Sequence, residues 1–107
     1  MIIVTTDQIE GKKITESLGL VRGNTVRARS VGRDILAVIG NLVGGEITDY
    51  TKMLAEAREQ ALDRMVEEAK EKGADAVVCA RFATSSMMQG AAELLVYGTA
   101  VKCEDER

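Results

Sequence analysis

The sequence predicts a single α+β domain: an antiparallel sheet packed on one long amphipathic helix, with a short apolar helix beside them. Three observations carry this prediction. The chain has 107 residues, enough for one hydrophobic core and too few for two. Between positions 48 and 72 apolar residues recur at three- and four-residue spacing, the period of a helix with one buried stripe. Residues 76–86 and 91–104 are strand-like runs separated by four residues, the pattern of an antiparallel hairpin. At 46% hydrophobic and 29% charged residues, with 10 Gly and no Pro, the composition excludes disordered, collagen-like and low-complexity chains.

Residues 2–6 are short and β-branched and run into Asp7 and Gln8, which reads as a strand ending in a turn. Residues 13–30 form a second extended region, with turn or bulge signals at Gly19 and at Gly23-Asn24, so either one long bent strand or a hairpin is expected. Residues 34–43 are apolar almost all round and stop at Gly44-Gly45, which predicts a short buried helix needing cover on more than one side. In the long helix, Thr48 is placed to cap the start and Asp49 suits the positive end of the dipole. Tyr50, Met53, Leu54, Ala57, Ala61, Met65 and Ala69 make the stripe, and Gly73 supplies the left-handed residue after the last turn. With Met87 to Gly90 as the hairpin turn, simple pairing sets Arg81 opposite Val96 and Cys79 opposite Gly98.

Both faces of that hairpin are then largely apolar, and one helix covers only one face of a sheet. The remaining surface, together with residues 34–43, calls for a second copy of the chain. A monomer is not expected.

Several function classes drop out on composition. The chain lacks His, and with it the usual general base and the commonest metal ligand. A net charge of −3 is too balanced to indicate nucleic acid or an anionic membrane, and the few aromatic residues do not interleave with the arginines. The longest wholly apolar run, residues 35–39, is far short of a membrane span, and no signal peptide is evident, so a soluble cytoplasmic protein is expected. Cys79 and Cys103, the only thiols, fall about 17 Å apart along the predicted ladder, too far for a disulfide or a shared metal within one subunit. No metal site and no cofactor are therefore expected. Met87 and Met88 read as packing residues at the hairpin tip rather than as soft metal ligands.

The stretch from Gly11 to Arg33 sets Lys12, Lys13, Arg22, Arg27, Arg29 and Arg33 against Glu16 alone. Arg27 and Arg29 share a strand face and, repeated around an oligomer, could hold a phosphate or carboxylate; pairing with the acidic helix of a neighbouring copy is the simpler use of them. Asp34 and Asp75 could each serve as a carboxylate acid or base, but with no evident His, Cys or Lys partner the simpler reading is structural, at a helix start for Asp34 and at a turn for Asp75. No set of nucleophile, base and orienting residue is visible, which argues against an enzyme.

Arg33-Asp34, Gly44-Gly45, Tyr50, Ala57-Arg58 with Ala61, the run from Gly73 to Val78, and the run from Gly98 to Val101 closely resemble the YbjQ-like family, described as "putative heavy-metal-binding". The resemblance spans nearly the whole chain as a single domain, residues 1–107. It implies a dodecin-like subunit and a ring-shaped homo-oligomer, a pentamer. The function expected is a cytoplasmic homo-oligomeric binding protein for a small anionic ligand or metal ion at subunit interfaces, with Arg27, Arg29, Arg33, Asp34 and Asp75 as candidate ligand-binding residues. The alternatives are an enzyme assembled between subunits from Asp34, Arg33, Asp75 and Tyr50, and a purely structural or adaptor ring.

Overall fold

A computed structural model describes residues 1–28, 45–88 and 91–106. The predicted helix over residues 34–43 lies outside the described residues, as do Arg29, Arg33 and Asp34. Strand β1 is Ile2–Ile3 and β2 is Lys12–Ala28; helix α1 is Gly45–Glu71; β3 is Ala76–Met88 and β4 is Ala91–Asp105. The strands form one mixed sheet in the order β1-β3-β4-β2, with β1 parallel to β3 and the other pairings antiparallel. The expected all-antiparallel sheet therefore gains one short parallel edge. It arises because the chain reaches β3 by way of α1, a crossover that returns the chain alongside its own first residues.

The helix forms as its periodicity requires. Ala57, Ala61, Met65 and Ala69 are fully buried on one stripe, the last three against Val21, Val77, Val96 and Ala100. It begins at Gly45, so Thr48 sits within the helix instead of capping it. Its end follows the prediction: Gly73 has φ +77°, its N–H donates to the Lys70 carbonyl, and the Ala74 N–H donates to the Ala69 carbonyl. These two bonds close a Schellman cap around a residue with no Cβ to clash.

Residues 12–28 are one continuous strand and not a hairpin. The irregularity near Gly19, where φ is +97°, is a bulge between Ser17 and Gly19, with another between Ile14 and Glu16. Gly23 is no turn. It lies where α1 crosses the sheet, and a Cβ there would stand 2.0 Å from the Ala61 carbonyl oxygen and 2.5 Å from the Met65 nitrogen. Glycine lets helix and strand backbones approach this closely.

The hairpin register follows simple pairing only at its base. Ala76 lies opposite Val101 and Val78 opposite Thr99, but Arg81 lies opposite Tyr97 and Phe82 opposite Val96. Cys79 and Ala80 together face the span that Gly98 fills alone, with Cys79 in the left-handed region at φ +56°. This bulge turns over residues 81–86 relative to the simple register, and a second irregularity between Ser86 and Met88 ends the inverted stretch. Met87 and Met88 belong to β3 and not to the turn.

Among the described residues two buried clusters result. The larger lies between sheet and helix. The smaller, on the opposite face, holds Ala76, Val78 and Val101 with Val4, Ile9, Ile14, Cys79 and Cys103 against it. Val4 and Ile9 pack on it, and their segment is held to β3 by bonds from the Cys79 N–H to the Thr6 carbonyl and from the Ala80 N–H to the Val4 carbonyl. The described chain is long and thin, 60 × 23 × 17 Å with a radius of gyration of 17.6 Å, against about 13 Å for a compact chain of this size.

Candidate functional site

Above the small cluster, the sheet face opposite α1 has no cover among the described residues. Cross-strand partners place Arg22, Tyr97 and Arg81 in one row across β2, β4 and β3, since Tyr97 pairs with both arginines. At about 4.8 Å between strands the two arginine Cα atoms stand about 10 Å apart, with the phenol ring's strand between them. The next row is Asn24, Leu95 and Ala83, and the one beyond it Val26, Glu93 and Ser85. Leu20 is 57% exposed, Val26 50% and Tyr97 38%. The face is thus a shallow apolar strip crossed by a cationic row.

Arg81 is held in place: its Nη1 donates to the Thr5 carbonyl at 2.7 Å and to its neighbour Ala80 at 2.8 Å. Asn24 donates to the Glu93 carboxylate at 3.1 Å, so the carboxylate nearest the row is engaged, and the Asn24 carbonyl accepts a bond from Arg64 of α1. Planar guanidinium groups and an aromatic ring at this spacing suit a small anion or an anion carrying a flat group.

At the other end of the molecule, residues 6–14 and Glu106 enclose an open cleft of about 830 Å³. Its lining mixes Asp7, Glu10 and Glu106 with Lys12 and Lys13, so it offers no single sign of charge. Lys12 Nζ lies 2.6 Å from Asp105 Oδ1 on the rim. That hydrogen bond, reinforced by the opposite charge, raises the Lys12 pKa above the usual lysine value and holds the Asp105 carboxyl below the usual carboxylate range.

The structure separates the site residues that the sequence suggested. Arg27 pairs with Ala92 near the hairpin tip, whereas Asp75 sits at the base, where its N–H donates to the Val101 carbonyl and its Oδ2 accepts the Cys103 N–H at 3.0 Å. About nine residues of β4, or roughly 30 Å of strand, lie between them. A single subunit does not bring them together. The row of Arg22, Tyr97 and Arg81 was invisible in the sequence, because simple pairing set Arg81 with Val96 on the helix side. Only the bulge at Cys79 turns it to Tyr97.

Residues able to hold a heavy metal are scarce. Among the described residues no three Cys, Asp or Glu side chains converge as a ligand set. Cys79 and Cys103 are free, half-buried thiols, and one oxygen of Asp75 is taken up by the backbone. The donors of one described chain do not fit a closed heavy-metal site, which needs about four soft ligands. No helix among the described residues is long and apolar enough to cross a membrane.

Comparison with known proteins agrees with the sequence pattern. A UPF0145 protein of Clostridioides difficile is 60% identical over 106 residues, 99% of this chain and 95% of its own. UPF0145 proteins of Methanosarcina acetivorans and Archaeoglobus fulgidus are each 60% identical over 102 residues, covering 95% of this chain and 96% and 94% of theirs. A solved structure from Pediococcus pentosaceus, described as a protein of unknown function of the DUF74 family, superposes with a TM-score of 0.65 over 97% of this chain and 98% of that one. At 17% identity it shows the shared fold alone. The family model described as "Putative heavy-metal-binding" matches residues 1–104, and the chain belongs to that YbjQ-like family.

Proposed function

We propose that this chain is a cytoplasmic homo-oligomeric binding protein, a dodecin-like subunit assembled five to a ring, which holds a small anionic ligand on the uncovered sheet face. The observation that carries the reading is the row of Arg22, Tyr97 and Arg81, a cationic and aromatic line on a face where Leu20, Val26 and Tyr97 remain exposed. Such a face in a thin, single-sheet molecule has more apolar surface than a monomer usually leaves in water. The ring of five is what the family resemblance implies, and free thiols at Cys79 and Cys103 suit a reducing compartment. No group on this face supplies a nucleophile with a base beside it, so binding without chemistry is the role assigned.

Calorimetric titration with inorganic phosphate tests the site. Binding in the wild type that weakens at least about tenfold in Arg22→Ala, with the fold retained by circular dichroism, is the expected result. Equal phosphate affinity in the two proteins, or none in the wild type at millimolar concentration, discards the site.

A further inference from the structure

Residues 79–81 of β3 take the carbonyls of three successive residues near the start of the chain. The Ala80 N–H donates to Val4 at 3.0 Å, the Cys79 N–H to Thr6 at 2.9 Å, and Arg81 Nη1 to Thr5 at 2.7 Å. Below this clamp the Val4 N–H donates to the Val77 carbonyl at 3.0 Å, and Ile2 and Ile3 run parallel to Ala76 and Val77. Residues 2–6 thus form a strap along the lower edge of β3.

The strap and the bulge require each other. In a regular strand successive N–H groups point to opposite edges, so one of the Cys79 and Ala80 amides would face β4. Both instead donate outward to the strap, and Gly98 alone fills the span on β4. Ala80 is buried, so its amide depends on the Val4 carbonyl for an acceptor. Cys79 stands at φ +56°, a left-handed conformation that a side chain disfavours and that persists only where its surroundings over-determine it. The strap's carbonyls provide that constraint, and the bulge in turn sets Arg81 opposite Tyr97.

Arg81 joins the strap to the cationic row. Its Nη1 is occupied by the Thr5 and Ala80 carbonyls, at 2.7 and 2.8 Å. A guanidinium carries five N–H donors, so Nε and Nη2 are left for an anion. Strap and anion therefore do not compete for the arginine; the strap fixes the fork to which the anion binds.

We propose that residues 2–6 are a strap whose docking sets the anion affinity of the row of Arg22, Tyr97 and Arg81, with Arg81 as the residue that strap and anion share. The inference rests on the anion-binding reading above and adds the regulation of that site. Docked, the strap fixes the bulge, the register of residues 81–86 and the guanidinium together. Released, it frees all three, and the row loses one of its two cations. Release starts at the chain end, where Met1 and Ile2 are exposed. The coupling is reciprocal: an anion on the row opposes release of the strap by the same factor by which the strap tightens the anion.

The test uses the full chain, inorganic phosphate as the probe, and amide hydrogen exchange read by NMR. In the wild type, saturating phosphate should slow the Val4, Cys79 and Ala80 amides at least about fivefold. It should leave unchanged the amides of Lys12 and Glu106, which bond to Ile9 and Gly11 at the far end of the same segment. Without phosphate, Arg81→Ala should speed the same three amides and not those two. Val4→Pro removes the bond to Val77 and keeps every residue of the row, and it should weaken phosphate binding at least about fivefold. Val4→Ile, which keeps the N–H, should bind phosphate as the wild type does. Phosphate that leaves the three amides unchanged, speeds them, or slows all five equally overturns the coupling. So does Arg81→Ala without effect on the three, a folded Val4→Pro of wild-type affinity, or a loss in Val4→Ile as large as in Val4→Pro. Each of these leaves the anion site standing. If Val4→Pro fails to fold, the effect of phosphate on the wild-type amides decides alone. A wild type that binds no phosphate removes the site itself, and the strap's control of it falls with it.

Discussion

Gly23 shows how much one absent methyl group can decide. The Ala61 carbonyl lies where its Cβ would be, so any side chain must push α1 off the sheet and open the interface made by Val21, Met65 and Val96. Gly23→Ala should lower stability by about 2–3 kcal/mol, the upper range for overpacking, seen as a lower urea midpoint. Gly11 gives the contrast. It has φ +81° with nothing within 4 Å of a built Cβ, so Gly11→Ala should cost only the backbone strain, about 1 kcal/mol. Equal losses in the two variants would show that close helix approach is not what Gly23 provides.

Among the elements, the helix and the hairpin strands were legible because their signals are repeated along the chain. Seven apolar residues at helical spacing outweigh a misread cap, and the alternation of β3 and β4 survives an error in the turn. The register was not legible, because it depends on one residue. Cys79 adopts a left-handed conformation that nothing about a cysteine announces, and no glycine marks the position. Gly23-Asn24 misled in the opposite way: glycine signals a special backbone requirement, but not whether a turn or a crossing helix imposes it. The candidate site suffered most, since the row of Arg22, Tyr97 and Arg81 exists only across three strands in the bulged register. At the strand ends, Lys12 and Asp105 tie β2 to β4. Asp105 has a lowered pKa, so its contribution is present above the ordinary carboxylate value and is lost as pH falls through the lowered one. Lys12 has a raised pKa, so its contribution persists below the ordinary lysine value and disappears as pH rises through the raised one. Asp105→Asn should flatten the small dependence at both extremes, measured by thermal unfolding across pH; an unchanged profile would show that the pair does not hold the strand ends.

For the molecule as a whole, the charge distribution bears on assembly. The exposed side of α1 carries Glu56, Glu59, Asp63 and Glu67, while the positive stretch of the sequence continues through Arg27 and Arg29. If these oppose one another between copies, Arg27→Ala with Arg29→Ala should weaken association and make it less sensitive to salt, followed by light scattering at two ionic strengths. An oligomer indifferent to the double change would show that the arginines serve a ligand and not the assembly.

The bulge at Cys79 and Ala80 also sets how this chain can vary without losing its shape. Side chains beyond the bulge alternate correctly only because β3 spends one more residue there than β4 does. Loss of one codon at either position would set a single residue opposite Gly98 and remove the bulge, leaving Arg81 opposite Tyr97; gain of one codon there, with the bulge kept at its present size, would invert the outer half of the strand, sending Phe82 to the face of Tyr97 and Arg81 to the side of the helix. Lengths elsewhere in such a chain can drift with the loops, and between Val78 and Arg81 one residue or two lead to the same outer register, whereas a third shifts everything that follows it in the strand.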